Sequence, residues 1–260
     1  MERIQGINSL KQREDAVSEA IGFILIFSLV MIGIGLITLY GYPILLEQQS
    51  NANVKNMERD MIVLQNDMKS LVYKNAPYKE TSLQVSGGAL SVYNHDSATS
   101  SMTINNGVTT IVPEYIFGQL IYESDAGESI IALENGAVFT RMEFQTGSAM
   151  LAEPRWFIDE NTITGNKTLI ITLISINSGG PMSRNGIGTV KMQLLPHTAE
   201  PPIYTVPTDT ITITYKRESP TYDFSTGWDN YLKNTLGMGG DYASGYTITG
   251  LNTIIIKNTR

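Results

Sequence analysis

Cysteine is absent from the chain. That absence excludes disulfides, thiol nucleophiles, iron–sulfur clusters and thiolate zinc sites together. Histidine is nearly absent too: His95 and His197 are the only two, and neither belongs to a local metal motif such as HExxH. His95-Asp96-Ser97 holds the residue types of a catalytic triad, but neighbours on one strand or turn cannot present that geometry to one another. Positive charge is also scarce, with 18 Lys and Arg against 25 Asp and Glu, a net charge of −7 and a pI near 4.9. The field of such a chain repels nucleic acid, and no run of basic residues interleaved with aromatics offsets it.

Two further absences narrow the chemistry. The carboxylates Asp125 and Glu128, and the set Asp223, Asp229 and Asp241, lack the dense oxygen-ligand spacing of a calcium loop. The glycines of Gly179-Gly180, Gly186-Ile187-Gly188 and Gly237-Met238-Gly239-Gly240 lack the strand-to-helix setting and the lysine of a phosphate cradle. No catalytic residue, metal or cofactor is expected, and a surface hydrolase is the least supported of three readings.

What is present begins near the N-terminus. No residue from Ala20 to Leu46 is charged, and the 22 residues from Ile21 to Tyr42 are almost entirely apolar. As a helix they span ~33 Å, enough to cross a bilayer's hydrocarbon. The run is too long for a cleaved secretory signal, and Tyr40 and Tyr42 suit the far interface. Arg3, Lys11 and Arg13 on the short flank point to a cytoplasmic N-terminus, which places the long polar remainder outside.

Beyond the span the apolar pattern narrows to one stripe: Val54, Met57, Met61, Leu64, Met68 and Leu71 alternate spacings of three and four. This is an a/d seam, predicting an amphipathic stalk helix that packs on the head's own sheet, on another subunit, or on both. Pro43 predicts a kink rather than a stop, and Asn75-Ala76-Pro77 ends the helix.

The segment Arg13-Glu14-Asp15-Ala16-Val17-Ser18-Glu19-Ala20-Ile21-Gly22, running into the apolar span, resembles the N-terminus of archaeal type IV pilin-like proteins with a class III signal peptide. The resemblance implies cleavage between Asp15 and Ala16 by a prepilin peptidase-like enzyme, at the cytoplasmic membrane face. A charged leader containing Lys11 and Arg13 stays out of lipid, so that bond remains within reach of such an enzyme. The resemblance also implies a subunit-pairing role for Glu19, although it stands one position short of the bacterial placement. Read as a residue alone, Glu19 is a carboxylate well placed at a helix N-terminus. The run Glu134-Asn135-Gly136-Ala137-Val138-Phe139 resembles heads of the same membrane-anchored group.

After Pro77 the apolar period drops to two. Ser82–Val85 and Ala89–Tyr93 across Gly87-Gly88 predict a hairpin, as do the turns at Asn105-Asn106-Gly107 and Asn135-Gly136. Longer strands are expected over Thr168–Ile176, Thr189–Leu195, Thr210–Lys216 and Thr253–Lys257. Trp228, Tyr231, Leu232 and Leu236 have helical spacing, and Gly237 supplies a stop. Asn166-Lys167-Thr168 fits the acceptor pattern for N-glycosylation at Asn166.

The expected fold is α+β, with a mainly antiparallel β-sandwich-like head and one short helix. Its expected parts are a charged leader over 1–15, a transmembrane helix over 16–46, a stalk over 47–76 and an extracellular head over 77–260. Two functions fit that plan. One is a pilin-like subunit, secreted through the general channel and either retained in the membrane or assembled with its own kind into a filament. The other is a single-pass anchored binding module that never polymerises.

Overall fold

The structure, a computed structural model of the full chain, describes residues 2–74, 76–94, 100–125, 129–179, 182–195, 203–217 and 219–259, of which 2–17 are described as backbone alone. The chain divides into two compact units, Met1–Asn51 and Ala52–Arg260. The first consists of helix α1 (Glu2–Leu36), a π-turn over Ile37–Gly41 and the opening turns of helix α2 (Tyr42–Lys74). The π-turn lies just ahead of Pro43, where Tyr42 donates its amide to the Ile37 carbonyl, five residues back. Proline has no amide to give Leu39 and its ring crowds that carbonyl, so the widened turn carries the helix past the expected kink.

The second unit is α+β: among the described residues it holds the rest of α2, a short helix α3 (Ser225–Asn230) and fifteen strands in three sheets. The first sheet contains β1 (Tyr78–Tyr93), β4 (Gln119–Ser124), β5 (Ser129–Glu134), β6 (Ala137–Met142), β7 (Ala149–Ala152) and β10 (Met182–Gln193), in the order β10-β1-β4-β5-β6-β7. Its central strands carry unbroken apolar runs, 120–122, 130–133 and 137–139, because both faces are covered. Leu120, Tyr122, Ile131, Leu133 and Val138 face one core together with α2; Ile121, Ile130, Ala132, Ala137 and Phe139 face the other. A period of two, with neither phase polar, is what a sheet buried on both sides requires.

The second core is shared with the other two sheets. One pairs β2 (Ser101–Asn105), β3 (Thr110–Ile116), β12 (Ile211–Lys216), β13 (Gly239–Asp241) and β14 (Gly245–Ile248), in the order β13-β14-β12-β2-β3. The other pairs β8 (Phe157–Glu160), β9 (Lys167–Ile174), β11 (Ile203–Pro207) and β15 (Thr253–Thr259), in the order β11-β15-β9-β8. Among the described residues every pairing is antiparallel except β9 with β15, which run parallel from Thr168–Thr253 to Ile174–Thr259. Helix α3 continues as a π-turn over Tyr231–Thr235 and stops at Gly237, whose φ is +67°. Trp228 is wholly buried, its ring centroid 5.4 Å from those of both Phe139 and Trp156.

One hairpin expectation is overturned. Gly87-Gly88 makes no turn, because β1 runs unbroken from Tyr78 to Tyr93 and the glycines form a bulge within it. Val85 pairs with Gly186 and Leu90 with Arg184, so β1 carries extra residues across two positions of its neighbour. A Cβ on Gly88 would lie 2.2 Å from the Glu123 carbonyl oxygen and 2.6 Å from the Tyr122 ring, so close strand approach explains that glycine. The turns at Asn106-Gly107 and Asn135-Gly136 do join neighbouring strands, β2 to β3 and β5 to β6. At the latter, Asn135 and Gly136 have φ of +48° and +73°, the positive pair of a type I′ turn.

Candidate membrane anchor and helix-to-head joint

Every large apolar side chain from Ile21 to Leu46 is between 46 % and 71 % exposed. The helix is long and apolar enough to cross a membrane, with a mean hydropathy of 2.8 over its most apolar window, none of it buried. Glu19 is exposed at the start of this stretch. The side chains of Asp15 and Ala16, the expected cleavage site, lie outside the described residues.

From Met57 onward the same run of helix meets different surroundings. Met57, Met61, Leu64, Met68 and Leu71 are buried and Val54 is half-buried. Met57, Met61, Leu64 and Met68 share one core with Leu83, Val85 and Leu90 of β1. The seam is therefore occupied by the head's own sheet. Polar bonds fix the register of this docking. Gln65, buried beside Leu64, donates its Nε2 to the carbonyls of Gly136 (2.7 Å) and Glu153 (2.9 Å), and Lys69 also reaches the Glu153 carbonyl at 3.1 Å. Asp67 accepts from the Thr81 hydroxyl and pairs with Lys79 at 3.4 Å.

The helix end is held as well. Lys257 donates to the Val72 carbonyl at 2.7 Å, one of the acceptors that a helix C-terminus leaves open. The Lys257 and Arg155 cations sit 5.5 and 4.6 Å from the Tyr73 ring centroid, on an electron-rich face that attracts them.

The turn that accepts Gln65 begins at Glu134, a fully buried carboxyl. Its Oε1 accepts from Trp228 Nε1 at 2.8 Å and its Oε2 from the Gln119 amide. Ser100 and Tyr215 face the same group, with the Tyr215 hydroxyl donating to Ser100 Oγ at 2.9 Å. Burial pushes the Glu134 carboxyl above its ordinary value, while the surrounding donors pull it back down. Asn135 then accepts the Ile174 amide at 2.8 Å, so Glu134-Asn135-Gly136 ties α3, β4, β9 and α2 to one hairpin.

The remaining candidates from the sequence do not converge. Among the described residues, no group of three or more His, Asp and Glu could hold a metal ion, and both histidines lie outside those residues, as does Glu128. Asp223 pairs with Arg217, Asp229 accepts from Tyr246 and pairs with Lys233, and Asp241 caps the Ala243 and Ser244 amides. Asn166 is exposed in the turn ahead of β9. Met68, Leu71, Leu83, Val85, Val190 and Met192 help to line an open cleft of about 1340 Å³.

Sequence reasoning found the seam but missed Gln65, Lys257 and Arg155 as the polar part of the joint. Gln65 lies between the seam positions Leu64 and Met68 with Asn66 and Asp67, and the seam's spacing does not set it apart from exposed Asn66.

These features define a protein with a membrane-anchor-like apolar N-terminal helix and a β-rich head built around the helix's amphipathic continuation. The chain belongs to a family of unknown function, DUF7289, whose model matches residues 16–244. Neither the curated proteins nor the solved structures contain a match.

Proposed function

We propose that this protein is an archaeal type IV pilin-like, non-enzymatic cell-surface subunit. A prepilin peptidase-like enzyme removes its class III signal peptide before Ala16. The apolar helix then holds it in the cell membrane by a single pass, N-terminus cytoplasmic and head extracellular, and packs against other pilin-like subunits when a filament forms. The observation that carries this reading is the uncharged, exposed helix from Ala20 to Leu46, entered through Ala16-Val17-Ser18-Glu19-Ala20-Ile21-Gly22. An exposed apolar surface of this length needs lipid or other helices around it. The family match also begins at residue 16, the first of the expected mature chain. In this reading Glu19 pairs subunits at the helix start and exposed Asn166 is open to a glycan.

N-terminal sequencing of protein from native membranes and filaments tests this. The expected first residue is Ala16. An intact Met1 start in both fractions would sink the processing step.

A second reading, an anchored binding module that does not polymerise, draws on the cleft beside the joint. Its signature is protein confined to the membrane fraction while purified filaments lack it.

A further inference from the structure

The head has two sheet edges of opposite charge at opposite ends of one pair of sheets. The first sheet runs from β10 to β7 and the β9-containing sheet from β11 to β8. Residues 153–156 alone join β7 to β8, so those two edges close the same end, and β10 closes the far end of its sheet. Among the described residues, β10 bonds only to β1, which leaves one side of a 12-residue strand open.

Apart from β8, the other edges are protected in the usual ways. Strand β7 has four residues and β13 has three, while β3 and β11 contain Pro113 and Pro207. β10 has no proline. It carries Arg184 and Lys191, with Ile187 standing 78 % exposed between them. Those cations bear on which partner fits. If β10 paired with its own copy across a two-fold axis, with Met182 opposite Gln193, each Arg184 would face a Lys191, and like charges directly opposite destabilise a ladder.

β8 is the complementary edge. It presents Asp159 and Glu160 with Phe157, which is 41 % exposed. Glu160 already meets Lys167 at 3.8 Å, and Lys191 meets Glu80 at 3.5 Å. Arg184 and Asp159 make no ion pair among the described residues. The carboxylates on the other edges are engaged, Glu114 by Lys216 and Ser101, and Asp241 by its own turn.

We infer that heads associate head-to-tail, the β10 edge of one copy taking the β8 edge of the next, with Arg184 set against Asp159. The contact joins two different patches, so it leaves a free β10 and a free β8 at the ends and extends into a row. A four-residue ladder is weak alone, so the row forms where anchoring has already concentrated copies. The inference concerns the heads and does not require the apolar helices to pack on one another.

The test uses the full-length protein in lipid vesicles at low surface density, with energy transfer between dye-labelled copies as the readout. Ile163→Cys, at a position 93 % exposed, gives the otherwise cysteine-free chain a single labelling site. The expected wild-type signal exceeds that of randomly placed copies. Arg184→Glu alone and Asp159→Arg alone each drop it to the random level, and an equal mixture of the two restores it, because either contact between unlike copies then pairs opposite charges. Melting curves of both variants matching wild type confirm that the heads are folded. Wild-type signal at the random level overturns the inference and leaves the β10 edge to a different protein's strand. A signal above random that survives both swaps also overturns it, and assigns association to the helices. A mixture that fails to recover removes the charge pairing and the proposed contact with it.

Discussion

The stretch from Ile21 to Leu46 and the stretch from Met57 to Val72 are both helical and both rich in Leu, Ile and Met, yet their side chains have opposite fates. In the first the large apolar residues surround the helix and all are exposed; in the second the seam residues form one stripe and are buried, with Ile62 half-buried and Val63 exposed beside it. Composition alone does not separate the two. Angular distribution does, because a stripe matches one sheet face, whereas a helix apolar all round needs lipid or other helices on every side. The polar residues agree. Gln65, Asp67 and Lys69 each find a partner on the head, while Thr38 in the apolar stretch bonds back to the Ile34 carbonyl at 2.9 Å and needs none.

Truncating a leucine in each stretch is the strongest way to break this comparison. Leu64→Ala removes a wholly buried side chain from the joint and is expected to destabilise the head by about 2–5 kcal/mol in denaturant unfolding. Leu29→Ala, in the apolar stretch, should leave that transition where it is. Equal shifts would mean that the seam does not belong to the head's core. A smaller loss is expected from Gln65→Leu, which strips the Gly136 carbonyl of its donor while Lys69 still serves Glu153. The expected cost is about 1–3 kcal/mol, with faster amide exchange at the Asn135-Gly136 turn. Smaller again is Lys257→Met, which uncaps Val72 and removes one cation from the Tyr73 ring. Fraying of the last turn of α2 and a loss of about 1 kcal/mol are expected, readable by hydrogen exchange at residues 70–74.

The sequence was informative wherever one side chain, or a short period, carries the physics. The uncharged run, the seam, Asn-Gly turns and the Trp228 helix each depend on local spacing, and each has a counterpart in the structure. Features set by distant partners were not legible. The seam's own pattern could not say whether a sheet or another subunit would cover it, since both offer the same apolar surface. Gly87-Gly88 looked like a turn because a wide bulge and a hairpin share that residue type; only the nearness of Glu123 and Tyr122 distinguishes them. The parallel β9–β15 pair joins residues too far apart in the chain for any periodicity to register. For the candidate site, Glu134 stood out only within a run resembling other heads, and nothing local marked it as buried.

Glu134 also separates the two regions by pH, because the exposed stretch from Ile21 to Leu46 has no carboxyl side chain. Its donors are Trp228 and Gln119, with Ser100 and Tyr215 beside them, and no cation is paired with it among the described residues. Desolvation raises its folded-state pKa above the unfolded value, so the folded head binds this proton more tightly. The stability it contributes is complete below the unfolded pKa and is lost as pH rises through the folded one. Glu134→Gln keeps the shape and an acceptor for Trp228, and a reoriented Gln119 amide can meet the new amide, so the change in stability at acid pH should be the smallest of the series. As pH rises toward neutral, the wild type should lose stability that the variant keeps, and the melting temperatures should diverge in the variant's favour. Divergence in the opposite sense would mean that the surrounding hydrogen bonds outweigh burial and hold the carboxylate ionised within the core.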